Sequence, residues 1–62
     1  MTDANNAPVQ ILVIEDEDDI RNLVVMNLKR AGFDVISAGN GTDGLNLLRT
    51  HRPPVLLLDL ML

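Results

Sequence analysis

The chain has 62 residues, no cysteine and a formal net charge of −4, from nine Asp and Glu against five Lys and Arg. A chain of this size forms one small domain at most and buries only about 60% of its unfolded surface; with no cysteine, no disulfide reinforces the core, which suits a reducing compartment. An acidic chain whose one aromatic residue is Phe33 has no basic, stacking surface, so direct nucleic-acid binding by this segment is not expected.

Residues 1–8, MTDANNAP, are polar and carry neither the basic residue nor the apolar run of a secretory signal. They are expected to be a disordered tail ahead of a single ordered unit, residues 9–62. No apolar run approaches the roughly 20 residues that span a bilayer, so a cytoplasmic protein with no membrane contact is expected. Gln10–Ile14 is apolar on both faces, the pattern of a buried parallel strand. A helix follows, with Ile20, Leu23, Val24, Leu28 and Ala31 on one stripe. Asp18 is expected as its N-cap, Asp19 favours the positive end of the dipole, and Lys29 and Arg30 the negative end. Gly32 then suits the residue after the C-cap. Phe33–Ala38 reads as a second strand, Gly39-Asn40-Gly41 as a turn, and Thr42 to about Arg49 as a shorter helix burying Leu45 and Leu48. His51-Arg52-Pro53-Pro54 breaks that helix, and Val55–Asp59 is a third strand. The order β-α-β-α-β implies parallel strands with right-handed crossovers, an α/β fold.

Near its end the chain reads VLLLDLML. Burying an ionised Asp costs several kcal/mol unless it is compensated. Asp59 is therefore at an exposed strand end, held by a cation, or out of place. The first strand also runs into acid, Glu15-Asp16, at the head of the unbroken run Glu15–Asp19. In open parallel sheets ligands bind beyond the carboxyl ends of strands, where the winding reverses. If the third strand lies beside the first and the second lies on its other side, giving order 2-1-3, Glu15, Asp16 and Asp59 meet at one edge. Like charges there repel unless they share a cation. Hard oxygen ligands, open positions and a nearby phosphate suit Mg²⁺, and a carboxylate beside the ion can serve as a nucleophile toward phosphorus. The plainer alternative makes residues 15–19 a solvated helix start that only favours the dipole. It leaves Asp59 unaccounted for.

Gly39-Asn40-Gly41-Thr42-Asp43-Gly44 satisfies G-x-G-x-x-G between a strand and a helix, and Asp59 follows about 20 residues later, as a dinucleotide site asks. On that alternative the chain is a βαβ fragment that binds NAD(H). Against it, the helix after Gly44 has room for little more than two turns before Pro53, and the motif opens the second strand-helix unit. A Gly-rich turn with Thr42 near a helix N-cap serves equally well. His51 is the only histidine and reads as a surface residue.

ILVIEDEDDIRNLV, RAGFDVISAGNGTDGLNLL and LLLDLML resemble successive parts of the receiver domain of two-component response regulators. Ala38, Gly41 and Leu45 stand where that family's A-x-x-G-x-x-A-L pattern places them, and the resemblance covers residues 10–62. It implies a flavodoxin-like, doubly wound parallel sheet of order 2-1-3, with Asp59 as phosphoacceptor. It further implies that Glu15, Asp16, the Asp59 side chain and the backbone carbonyl of Met61 hold Mg²⁺, while a sensor histidine kinase donates the phosphoryl group. The chain is then a signalling module and not an enzyme, and DLML resembles the subfamily with winged-helix DNA-binding output domains, so transcription is the expected output. A module that keeps the fold only to dimerise, without phosphorylation, is a further alternative.

Two departures stand out. Gly44 replaces the usual alanine, which loosens a helix by about 1 kcal/mol, and Pro54 falls at the start of the third strand, a tolerated position. A whole receiver also has fourth and fifth strands, whose hydroxyl residue and lysine contact the phosphoryl group. The resemblance therefore implies the N-terminal half of such a domain. Alone, this half is expected to bind Mg²⁺ weakly and to form a homodimer or swapped oligomer through the exposed third strand.

Overall fold

Gln10–Glu15 forms β1, the centre of the molecule in a computed structural model that describes residues 7–59. Most of the expected N-terminal tail, and Met61 with its carbonyl, lie outside the described residues. After β1 come α1 (Asp18–Arg30), β2 (Asp34–Ala38), α2 (Gly41–His51) and β3 (Val55–Asp59). The sheet is parallel throughout, in the order β2-β1-β3. This is the α/β arrangement of a flavodoxin-like sheet, as the sequence predicts.

Alternation along β1 divides the core between the two faces. Ile11 and Val13, with Val35 of β2, meet Val24, Val25 and Leu28 of α1. Leu12 and Ile14, with Ala38 of β2, meet Leu47 and Leu48 of α2. The helices thus lie on opposite faces, as right-handed crossovers require when the chain steps first to one side of β1 and then to the other. Ile11 to Glu15 are all buried, whereas every residue of β3 is exposed.

The helix ends are set by local chemistry. Gly32 adopts a positive φ of 100°. Its N–H donates to Lys29 and that of Phe33 to Leu28, a pairing that satisfies the last carbonyls of α1. At the other end the expected N-cap is displaced by one residue. Glu17 occupies it with no side-chain bond, and Asp18 is the first helical residue. The Asp18 carboxylate is instead taken by Arg21, 2.6 Å away. α2 starts at Gly41 because the Asn40 side chain accepts the Asp43 N–H at 2.8 Å. It runs on to His51, closing where Arg52 turns left-handed (φ 47°) ahead of Pro53. The helix is longer at both ends than the expected Thr42 to about Arg49, and Phe33 falls outside β2.

The inward faces differ in part from the predicted stripes. In α1, Val24 and Leu28 pack inward as expected, but Val25 joins them while Ile20, Leu23 and Ala31 stay exposed. In α2, Leu48 is joined by Leu47, and Leu45 is exposed. Gly44 accounts for the rotation. It is the buried residue of α2, and a Cβ there would lie 2.8 Å from Ile14 Cγ1 and closer still to Cδ1. The helix backbone approaches β1 through that gap, and the side chain of Ile14 fills the space an alanine methyl would take.

Candidate functional site

Register fixes the site. Glu15, the last residue of β1, pairs with Asp59, the last of β3, after four successive aliphatic pairs from Ile11–Val55 to Ile14–Leu58. Parallel partners project to the same face, with strands about 4.8 Å apart. Two carboxylates therefore end neighbouring strands on one side of the sheet, at the junction where the chain reverses its winding. Asp16 follows Glu15 directly in the bend before α1. The sequence expectation that the acids of the first and third strands share an edge is met by this register.

The three acids are not equivalent. Glu15 is only 3% exposed, while Asp16 and Asp59 are open to solvent. The Glu17 N–H donates to Glu15 Oε2 at 2.9 Å. That bond, the largest single influence, favours the ionised carboxylate. Burial, a hydrogen-bonding contact with the Asp16 carboxyl and the charges of Asp59 and Asp16 all oppose it, and together they raise the Glu15 pKa above its ordinary value. An acid held up by burial, with like charges beside it adding to the effect, is in the condition that a divalent cation relieves. The donor set, carboxylate oxygens only, fits Mg²⁺ or a similar hard ion. Among the described residues no three acidic or histidine side chains already surround a common point. What this part of the chain supplies is two facing strand tips with Asp16 flanking them.

Sequence reasoning passed over Arg21. Its guanidinium donates from Nη1 to the Glu15 carbonyl oxygen at 2.8 Å and from Nη2 to Asp18 at 2.6 Å. The signal was present in the spacing: Arg21 stands three and four residues before Val24 and Val25, on the half-buried stripe of α1.

The glycine-rich segment is not arranged as a phosphate cradle. The Asp43 N–H, one of the free amides at the start of α2, is already taken by Asn40, and the Asp43 carboxylate accepts from Asn40 Nδ2 at 3.1 Å. An anion thus already occupies that helix start. His51 is exposed at the far end of α2.

A protein-family model described as the response regulator receiver domain matches residues 11–62. The chain belongs to that family. Its receiver segment is 48% identical over 52 residues to the transcriptional regulatory protein AfsQ1 of Streptomyces coelicolor, covering 84% of this chain and 23% of that protein. It is 43% identical over 53 residues to the alkaline phosphatase synthesis transcriptional regulatory protein PhoP of Bacillus subtilis, covering 86% and 22%. It is 37% identical over 62 residues to the probable transcriptional regulatory protein TcrX of Mycobacterium tuberculosis, covering 100% and 26%. The receiver segment spans about a quarter of the length of these curated relatives. No solved structure matches it. Among the described residues no helix is long and apolar enough to cross a membrane.

Proposed function

We propose that residues 9–62 are the N-terminal half of a cytoplasmic phosphorelay receiver whose phosphoacceptor is Asp59. The phosphodonor is a sensor histidine kinase. An Asp59 carboxylate oxygen attacks the phosphorus of the phosphohistidine, the P–N bond breaks and an acyl phosphate forms on Asp59, while the departing imidazole takes up a proton. Bound Mg²⁺ supplies charge neutralisation for the phosphoryl oxygens and the acid cluster. Glu15, Asp16, Asp59 and the Met61 carbonyl hold it. Burial of Glu15 keeps one ligand on the rigid central strand. The chain consumes the phosphoryl group as a signal and is not a stand-alone enzyme. In the whole protein the signal regulates transcription, the activity carried in the names of all three relatives.

The single observation that carries this reading is the Glu15–Asp59 register within a chain of the receiver family. The test is incubation of the whole protein with acetyl phosphate and Mg²⁺, followed by intact mass. One phosphoryl group is expected, absent in Asp59→Asn and absent when EDTA removes the ion. Equal labelling of Asp59→Asn would refute the assignment; a whole protein that never labels, and works unchanged as Asp59→Ala, would be a dimerisation module instead. As an isolated chain, residues 1–62 are proposed to pair with a second copy along β3, whose Val55, Leu56, Leu57 and Leu58 are each at least 40% exposed.

A further inference from the structure

The inward stripe of α1 is Arg21, Val24, Val25 and Leu28, half-buried between exposed neighbours. An arginine there needs a reason, because the other three positions pack against β1 and β2. Its guanidinium reaches three segments at once. Nη1 donates to the carbonyl that ends β1, and Nη2 to the carboxylate that starts α1. The same group lies over the turn after β2, where a Cβ on Gly39 would stand 2.8 Å from Nη1 and 3.5 Å from Cζ. One planar side chain thus bonds the tip of β1 to the first turn of α1 and lies against the turn after β2.

A cation in this place has two opposed effects on the acids. By charge alone it repels Mg²⁺ and weakens its binding. By its hydrogen bonds it fixes the bend from which Glu15 and Asp16 project. We propose that the second effect dominates: Arg21 is a positioning residue that holds the end of β1 so that Glu15 and Asp16 face Asp59, and the absence of a Cβ at Gly39 leaves the guanidinium room in the place where it makes these bonds. The inference rests on the reading that these carboxylates share Mg²⁺.

The sign of one measurement separates the two effects. In the whole protein, Mg²⁺ alone is titrated into the unsubstituted chain, Arg21→Ala, Arg21→Lys, Gly39→Ala and the Arg21→Ala/Gly39→Ala pair, followed by amide NMR shifts. Both Arg21 variants are expected to bind Mg²⁺ about tenfold more weakly, the usual loss when a ligand's supporting partner is removed. Lysine keeps the charge but cannot span both acceptors. Tighter or unchanged binding in Arg21→Ala, or unchanged binding in Arg21→Lys, would overturn the proposal; should Arg21→Ala not fold, the lysine variant decides. Gly39→Ala should weaken binding as well, yet add nothing once Arg21 is gone, and additive losses would refute the steric link. A metal-free readout stands beside these. The Glu17 amide, bonded to Glu15 Oε2, should exchange with solvent faster in Arg21→Ala, and unaltered exchange sinks the idea. Failure of the unsubstituted protein to bind Mg²⁺ would remove the underlying site assignment, with the exchange result still deciding whether Arg21 holds Glu15.

Discussion

β1 and β3 are nearly interchangeable as strings, QILVIE and VLLLD, aliphatic runs that close on an acid. They lie side by side in register, yet one is buried almost throughout and the other is exposed at every residue. Composition does not separate them; neighbours do. β1 has a strand on each side and a helix on each face, while among the described residues neither helix packs on β3. The same asymmetry reaches the acids at their ends. Glu15 inherits the dry environment of β1 and is raised by it, whereas Asp59 at the end of β3 is exposed among the described residues.

The largest expected effect tests this contrast on one cross-strand pair. Leu12 is 0% exposed and its partner Leu56 is 45% exposed. Leu12→Ala should cost about 3 kcal/mol in urea or thermal unfolding, comparable to all the stability a core this small supplies. Leu56→Ala should cost about 1 kcal/mol or less, since less apolar area returns to water. Both costs are read at a dilution where residues 1–62 are monomeric, and equal costs there would mean that β3 is covered within the single chain, so the contrast between the strands would fall.

Covering by a second copy is the next effect in size. Leu58 is the most exposed residue of the apolar run, at 57%. Size-exclusion chromatography of residues 1–62 should show a dimer that dissociates on dilution. Leu58→Lys should weaken it by about tenfold or more, the equivalent of losing one buried leucine and charging a free edge. A monomer at every concentration would show that the free edge of β3 does not associate.

Much of this was legible because the signals were local. The β-branched run of β1, the Gly32 cap and the proline break before β3 each act within a few residues. The order of elements then left few topologies, and the acids at two strand ends pointed to their own junction. What was not legible came from side chains whose chemistry masks their position. Gly44 has no side chain to mark it as inward-facing, so the sequence points to Leu45 and Leu48 where Gly44, Leu47 and Leu48 face inward. Arg21 is charged, so its place on the Val24, Val25, Leu28 stripe was not recognised. Asp18 looks like an N-cap, but Glu17 takes that position and the Asp18 carboxylate bonds Arg21. For Gly44 and Arg21 a contact with another segment decided the position, while for Asp18 the partner is three residues along its own helix.

The smallest expected effect sharpens the contrast between the two acids. Burial and like charge raise the Glu15 pKa above its ordinary value of 4.5. A carboxyl raised on folding stabilises the fold while it is protonated; that contribution is complete below its unfolded pKa and is lost as pH climbs through the folded value. At neutral pH without metal, ionised Glu15 beside Asp16 and Asp59 therefore opposes folding. Glu15→Gln, which can still accept the Glu17 N–H, should raise Tm slightly at pH 7 and leave it unchanged below pH 4.5. Saturating Mg²⁺ should reverse the order, because binding stabilises the unsubstituted protein in proportion to its occupancy and the glutamine variant lacks one charged ligand. Should Glu15→Gln lower Tm at pH 7 in the absence of metal, the account of Glu15 as an acid held up by burial and neighbouring charge would fail, and with it the reason this edge attracts a cation.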